Sequence, residues 1–191
     1  MYKQVRFDVK GISPILLHNG RLADPLNPLV IELKKVSSKR KKTEADLIAL
    51  AKFEWMGSLY LKNSKIVLPG EMIEACLTEG AKKKRQGNLA KIAIFVESES
   101  ELIYEGSKNI EELWQDENFR LTTGVVIQRA RIMRTRPKFN TWQASIVVTF
   151  ENEIIDLSTL VDFMTVAGSQ VGLGDWRPKF GRFSILGYKE L

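Results

Sequence analysis

Apolar and polar residues alternate in two stretches of the chain, one near its start and one in its last third. In residues 4–9, valine and phenylalanine occupy every second position, and the positions between them are polar. Residues 142–150 repeat this period of two. Such alternation is typical of a strand with one buried face. It predicts a strand at 4–9 and a long antiparallel pair formed by 121–134 and 142–150, joined by a basic turn at 135–141.

Three other segments have apolar residues at helical spacing. Thr43 is a candidate N-cap with Asp46 as its capping-box partner, and the helical pattern continues to about Tyr60. A second helix is predicted after Pro69, because proline is favoured where helices begin. A third is predicted at 157–164, where Asp156 or Ser158 precedes the apolar stripe and could cap it.

The complete order of elements predicts the fold class. With further strands at 92–96 and 183–188, the order is strand, helix, strand, strand, helix, strand. This indicates an α+β fold with a ferredoxin-like (RRM-like) βαββαβ core. Insertions are expected after strand one and before the central hairpin, within a single domain covering residues 1–191. The insertion at about 19–42 contains Pro25, Pro28 and a basic, serine-containing stretch, which predicts a mobile loop.

The bulk composition is that of a globular protein. The chain has 191 residues, of which 44% are hydrophobic and 27% charged. Its single cysteine, Cys76, excludes an intrachain disulfide and a cysteine-rich zinc site. No run approaches the roughly 20 apolar residues of a membrane span, and the first residues lack the apolar run of a signal peptide. We therefore expect a cytoplasmic protein without membrane association, metal or cofactor.

Basic residues are clustered along the chain. The net charge is +6, which suggests an anionic partner. Four basic runs, at 34–42, 82–85, 129–138 and 177–182, contain no acid, whereas acidic residues gather at 97–117. We interpret the acidic segment as a solvated face and the basic runs as parts of one positive track. The predicted contacts in the first two runs are Lys39, Arg40, Lys41, Lys83, Lys84 and Arg85.

The third basic run lies in the predicted hairpin. Arg129 and Arg131 are two residues apart and should share one face of a strand. Arg134 and Arg136 should lie on the opposite face unless a bulge intervenes. Arginine suits phosphate because its planar fork bonds two oxygens at once, and a neighbouring aromatic residue could stack on an unpaired base. The predicted contacts here are Arg129, Arg131, Arg134, Arg136, Lys138 and Trp142.

A glycine-rich loop precedes the last predicted strand. Its glycines would let the backbone approach a phosphate, and their amide hydrogens could cradle the anion. The spacing is not that of a nucleotide P-loop and the loop does not open a helix, which argues against ATP binding. The predicted contacts in this loop are Gly172, Gly174, Trp176, Arg177, Lys179 and Arg182.

Candidate catalytic groups are few. His18, the single histidine, could act as a general acid or base, and Asp24 lies in the same predicted loop. Either residue is more typical of a hydrogen-bonded turn. No G-x-S-x-G, H-E-x-x-H or Walker sequence occurs. The sequence therefore favours a binding protein over an enzyme.

The glycine-rich loop at 172–183, on a ferredoxin-like order of elements with an insertion after strand one, resembles the repeat-associated (RAMP) superfamily of CRISPR RNA-binding proteins. Within it, the plan resembles the backbone subunits that polymerise along guide RNA, and the similarity covers most of the chain. The Pro-Ile-Leu-Leu-His-Asn stretch and the Arg-Thr-Arg-Pro segment also resemble small bacteriophage proteins. The resemblance implies that the protein binds the backbone of single-stranded RNA, with subunits side by side along the strand. It implies a prokaryotic cell as the setting. It also implies Asp24 as a location for the aspartate with which some such subunits cut RNA.

These observations predict sequence-independent binding of single-stranded nucleic acid, RNA before DNA, as a homo-oligomer or as a subunit of a ribonucleoprotein. Because affinity would come from phosphate neutralisation, binding should fall steeply with salt. Two alternatives stay open. One is a phage protein that binds a host or CRISPR complex by mimicking a subunit, and the other is a metal-independent ribonuclease that uses His18 or Asp24.

Overall fold

The computed structural model of the protein describes residues 1–127 and 130–191, which divide into two compact units. The first unit consists of Met1–Ile15, Leu61–Glu105 and Asn140–Leu191, and the second of Leu16–Tyr60 and Gly106–Phe139. Both mix helices with antiparallel strands. The mixed α/β class predicted from the sequence is confirmed.

Ten strands and six α-helices occur in the described residues. The strands are β1 (Tyr2–Gly11), β2 (Ile15–Leu16), β3 (Leu61–Lys62), β4 (Lys65–Leu68), β5 (Ile94–Phe95), β6 (Ser100–Glu101), β7 (Arg120–Ile127), β8 (Ala130–Phe139), β9 (Gln143–Glu151) and β10 (Phe183–Glu190). The helices are α1 (Pro28–Ser37), α2 (Glu44–Ser58), α3 (Gly70–Lys83), α4 (Gly87–Ala93), α5 (Ile110–Gln115) and α6 (Leu157–Val166). Short 3₁₀ helices span Gly20–Ala23 and Glu117–Phe119, and a π-helical turn spans Ala167–Val171.

The first unit is built on a four-stranded sheet with the order β10-β1-β9-β5, in which every neighbouring pair is antiparallel. Phe7 of β1 lies opposite Ile146 of β9, and Val5 lies opposite Val148. All four side chains are completely buried. The strand prediction at 4–9 is confirmed, but the predicted pairing of 142–150 with 121–134 is wrong. β9 pairs instead with β1, and their register places the apolar residues of both strands on the same buried face of the sheet.

Two helices of the first unit follow the predicted pattern. α3 buries an apolar stripe that includes Ile73 and Cys76. α6 is capped by Asp156, whose side chain accepts a hydrogen bond from the Thr159 amide at 2.8 Å. The strand predicted at 92–96 is shorter than expected. Its first two residues belong to α4, and β5 contains only two residues. A β3-β4-β6 sheet completes the unit.

The second unit contains the β7–β8 hairpin, whose pairing runs from Arg120 opposite Pro137 to Ile127 opposite Ala130 without a register shift. The segment predicted as a turn at 135–141 is therefore largely strand. Its proline is accommodated near the end of the pairing, where its carbonyl accepts a hydrogen bond from the Leu17 amide at 3.1 Å. Because the register is continuous, Arg134 and Arg136 share one face of β8, and Arg131 lies on the other.

The insertion predicted as a loop at 19–42 contains α1. Asn27 supplies the N-cap by accepting a hydrogen bond from the Leu29 amide at 3.0 Å, and Pro28 occupies the first helical position. Both features favour helix initiation, so a proline of this segment starts a helix instead of preventing one. The next helix, α2, has the predicted capping box between Thr43 and Asp46.

No helix among residues 1–127 and 130–191 combines the length and the apolar character needed to cross a bilayer.

Candidate nucleic-acid interface

The four basic runs fall in pairs into the two units. The runs at 82–85 and 177–182 belong to the first unit, and those at 34–42 and 129–138 belong to the second. Within each unit, residues of the two runs line the same cavity. The runs therefore contribute to two sites, one in each unit.

The site of the first unit is the glycine-rich loop between α6 and β10. The loop is fixed by backbone hydrogen bonds: the Leu173 amide donates to the Gly181 carbonyl at 2.9 Å, and the Gly181 amide donates to the Pro14 carbonyl at 2.7 Å. Gly172 and Gly181 both have positive φ. A Cβ at Gly181 would come within 1.7 Å of the Leu173 carbonyl oxygen, so this turn requires glycine.

The hydrogen bonds of Gly172 contradict the prediction that its amide helps to cradle a phosphate. The Gly172 amide donates to the Ala167 carbonyl at 2.8 Å, and its carbonyl accepts a bond from the buried Cys76 thiol at 3.2 Å. These groups are committed to holding the loop in shape and do not point at a ligand. Gly172 and Gly181 therefore shape the backbone of the loop, and its side chains are the groups that can contact a partner.

Trp176 is the most prominent of these side chains. The residue is 44% exposed, and its backbone has a φ of 53°. Phe180 supports the ring at a centroid distance of 5.5 Å, and Lys179 Nζ lies 4.7 Å from the ring centre. The loop thus displays a flat aromatic surface beside a cation, which is the combination that binds unpaired bases.

A cavity of about 450 Å³ adjoins this ring. Lys83 of α3 lines it together with Gly174, Trp176 and Arg177, all predicted contacts. Two carboxylates, Glu79 and Asp175, line it as well. The charge of this cavity is therefore balanced, although the basic runs themselves contain no acid.

The pKa of Glu79, one of the two carboxylates that line this cavity, is lowered by its basic neighbours. A hydrogen bond from Lys82 holds the pKa of the Glu79 carboxyl below its usual value, with smaller contributions from the charges of Lys82, Arg177 and Lys83. The cations of the 82–85 run are thus already partly engaged with this helix-borne carboxylate. The exposed aromatic ring, and not an excess of charge, is the distinctive feature of the first unit's site.

The site of the second unit is a cavity of about 560 Å³, which we call the α1–β8 cavity. Lys34 and Val30 reach it from α1, four residues apart on one helix face. Arg134 and Arg136 reach it from β8. Its other lining residues are His18, Asn19, Gly20, Leu22, Ala23, Leu33, Glu54 and Val125. Three cations and one carboxylate line it, so it carries two net positive charges with histidine neutral.

A buried carboxylate fixes one of these cations. Glu54 of α2 is 7% exposed, and its Oε1 accepts a hydrogen bond from Arg134 Nη1 at 2.9 Å. Its Oε2 accepts one from the Thr135 amide at 2.8 Å. Both carboxylate oxygens are therefore used to hold β8 against α2, and the Arg134 guanidinium is oriented before any ligand arrives.

The rim of the α1–β8 cavity is also anchored to α2. Arg21 donates from Nε to the Gly57 carbonyl at 2.9 Å and from Nη2 to the Met56 carbonyl at 2.7 Å. These bonds satisfy carbonyls at the C-terminal end of the helix. Burial lowers the pKa of Arg21. The carbonyl of His18, which lines the cavity, accepts a hydrogen bond from the Tyr60 hydroxyl at 3.0 Å.

Several predicted site residues, both contacts and the catalytic candidate Asp24, line neither cavity. Asp24 is exposed and accepts a hydrogen bond from the Leu26 amide at 2.9 Å, which is a turn geometry. Arg131 is exposed on the opposite face of β8. Arg129 lies outside the described residues. The other predicted contacts that line neither cavity are Lys39, Arg40, Lys41, Lys84, Arg85, Lys138, Trp142, Gly172, Lys179 and Arg182.

The prediction that Trp142 stacks on a base is wrong. The side chain is 2% exposed, its Nε1 donates to the Ser13 carbonyl at 2.9 Å, and its ring packs against Phe183 at 6.2 Å. A Cβ at Gly11 would overlap the indole, so β1 is fitted closely around it. Trp142 is a core residue of the first unit.

Sequence reasoning missed three residues of the second site. Lys34 belongs to a basic run but is not among the predicted contacts, and its spacing from Val30 is the signal that could have found it. Glu54 and Arg21 act through bonds to residues about 80 and 35 positions away. No local pattern identifies such partners.

Among the residues that the structure describes, no three His, Cys, Asp or Glu side chains form a group suited to a metal ion. A comparison of the chain with models of protein families finds no matching family, and a comparison with curated proteins finds no match.

Proposed function

We propose that this protein binds single-stranded nucleic acid without sequence preference, and that RNA is its natural ligand in preference to DNA. The observation that carries the proposal is the exposed Trp176 ring on a loop held in one conformation, with Lys179 beside it. A base of any identity has an aromatic face, so stacking on such a ring is tolerant of sequence. The exposed cations of 177–182 would contact the phosphates on either side of the stacked base.

The topology of the first unit supports this proposal. Its strand order is β10-β1-β9-β5, with α3 between β1 and β5 and α6 between β9 and β10. We interpret this as the ferredoxin-like βαββαβ arrangement expected from the sequence. The glycine-rich loop directly before its last strand supports the proposed relationship to the repeat-associated RNA-binding family.

The proposal includes assembly along the strand. β10 forms one end of the four-stranded sheet, and its Leu186 and Tyr188 side chains are 59% and 50% exposed. An edge strand of this kind can pair with a strand of a second chain. Light scattering with and without a long RNA should therefore show larger particles in the presence of RNA.

The function is tested by titrating labelled RNA and single-stranded DNA of the same sequence while fluorescence anisotropy is recorded. Affinity should fall steeply between about 50 and 200 mM salt, because bound counterions are released. Replacing Trp176 by alanine should weaken binding by roughly 5- to 150-fold, since stacking on an aromatic residue contributes about 1–3 kcal/mol per base.

A matched control is Tyr2→Ala, which removes another exposed aromatic side chain of the first unit. This variant should bind as the unchanged protein does. Replacing Arg177 and Lys179 by glutamine should flatten the salt dependence, by a slope of about 0.7 for each phosphate that is no longer neutralised. If affinity is independent of salt and Trp176→Ala binds normally, the proposal is wrong.

A further inference from the structure

The α1–β8 cavity has a form that a continuous nucleic-acid strand does not need. A passing strand is bound by an open groove, whereas this cavity is a half-enclosed pocket of about 560 Å³. That volume lies in the range of roughly 300–1,000 Å³ typical of small-molecule sites. Its lining combines aliphatic side chains with a small number of cations, which is the usual composition of such sites.

The polar side of the cavity matches a doubly charged anion. Arg134 and Arg136 project from the same face of β8, and Lys34 reaches the cavity from α1. Because Glu54 offsets one of these cations, two net positive charges remain. A phosphomonoester carries close to two negative charges at neutral pH, and the arginine fork binds its oxygens in pairs. A phosphodiester within a strand carries one charge and matches the pocket less well.

The apolar side of the cavity matches an apolar or weakly polar group. Val30 is 5% exposed, and Leu22, Leu33 and Val125 are half-buried. These side chains line the pocket together with the cations. A ligand that fills the cavity therefore has a phosphate and, a short distance from it, a group that can pack on aliphatic side chains. The rim is held by the Arg21 and Asn19 hydrogen bonds to α2 and to the Leu59 carbonyl, so little ordering is required on binding.

We propose that the α1–β8 cavity binds a nucleoside monophosphate, with the phosphate on Lys34, Arg134 and Arg136 and the base against the aliphatic wall. This chemistry has two sources, a free mononucleotide and the phosphorylated end of a strand. The inference goes beyond the proposed function, because it concerns a different unit and a ligand with a terminal phosphate.

Calorimetric titration with adenosine monophosphate, uridine monophosphate and the corresponding nucleosides tests the site. The monophosphates should bind at least about tenfold more tightly than the nucleosides, because charge-assisted hydrogen bonds are the strong ones. Replacing Arg136 by glutamine should weaken monophosphate binding by about 10- to 100-fold. The matched control is Arg131→Gln on the opposite face of the same strand, which should bind within about twofold of the unchanged protein.

A second variant guards against a folding defect in Arg136→Gln. Lys34 is exposed on α1, so Lys34→Gln should fold and should weaken monophosphate binding by about three- to tenfold. If monophosphates bind no better than nucleosides, or if Arg131→Gln loses as much affinity as Arg136→Gln, the inference is overturned.

Three forms of one strand of about 12 nucleotides separate the two sources, within the length that single-strand binding modules occupy. The strand is prepared with a 5′-phosphate, with a 5′-hydroxyl and as a closed circle. Tighter binding of the phosphorylated form that disappears in Arg136→Gln assigns the pocket to a strand end. Equal binding of all three, with monophosphates still bound, assigns it to the free nucleotide. Binding of the circle reports the proposed function alone, because the circle has no terminal phosphate.

Discussion

Glu54 is expected to hold the second unit together more strongly than any exposed ion pair. Replacing Glu54 by glutamine keeps the size of the side chain and one acceptor oxygen, which can still accept from the Thr135 amide. The other carboxylate oxygen becomes an amide group that faces the Arg134 donor. The change therefore removes the charge partner of Arg134 and replaces a charged acceptor with a neutral one at the amide of β8.

The magnitude follows from the two hydrogen bonds, at 2.9 and 2.8 Å. A hydrogen bond to a charged group contributes about 1.5–3 kcal/mol. The Arg134 side chain is 34% exposed, so solvent screening reduces its share to about 1 kcal/mol. The weaker acceptor at the Thr135 amide adds about 1 kcal/mol more. Together the Gln variant should lose about 2 kcal/mol of unfolding free energy, and Glu54→Ala, which removes both acceptors, should lose more.

Urea unfolding followed by circular dichroism measures this loss. The control is Glu32→Gln, which removes the partner of Lys35 in an exposed pair at 2.6 Å and should change the unfolding free energy by less than about 0.5 kcal/mol. If the Glu54→Gln variant unfolds within about 0.5 kcal/mol of the unchanged protein, the carboxylate does not hold β8 to α2 and the reasoning is refuted.

Four further predictions concern stability and reactivity. Gly181→Ala should destabilise the protein by about 2 kcal/mol or more in urea unfolding, because of its positive φ and the 1.7 Å overlap, whereas Gly187→Ala, with nothing within 4 Å, should not. Thr43→Ala should reduce the unfolding free energy by about 1 kcal/mol because it removes the capping box, again by urea unfolding. Burial raises the pKa of the Cys76 thiol to about 12, so about one thiol in 10⁴ is ionised at pH 8 and a thiol reagent should react only after unfolding. Because this folded pKa is above the usual 9.0, its stabilising contribution is complete below pH 9 and should decline as the pH rises towards 12, measurable as a falling urea midpoint.

Local patterns identify much of the secondary structure but not the pairing of strands. The alternation in β1 and β9 and the capping box at Thr43 each depend on neighbouring residues, and both predictions are confirmed. A period of two does not specify the partner of a strand, because any apolar face of matching register can serve. Proximity along the chain therefore favours 121–134 as the partner of β9, although its complement is β1 across more than 130 residues.

The insertion shows a different difficulty. Residues 19–42 contain two prolines, five lysines and two serines, and this composition predicts a loop. The position of Pro28 directly after Asn27 is instead a start signal for a helix. The order of these two residues, and not the proline content of the segment, determines the local structure.

The basic runs show why charge along a sequence does not give the charge of a site. The 82–85 and 129–138 runs contain no acid, yet Glu79 and Asp175 line the cavity reached by Lys83, and Glu54 is bonded to Arg134. In the first case the cations are balanced, and in the second an excess remains. The first site therefore depends on its aromatic ring and the second on its charge. It follows that Trp176→Ala should weaken the binding of a circular strand and leave the binding of a mononucleotide unchanged. Arg136→Gln should weaken the binding of a mononucleotide and leave the binding of a circular strand unchanged.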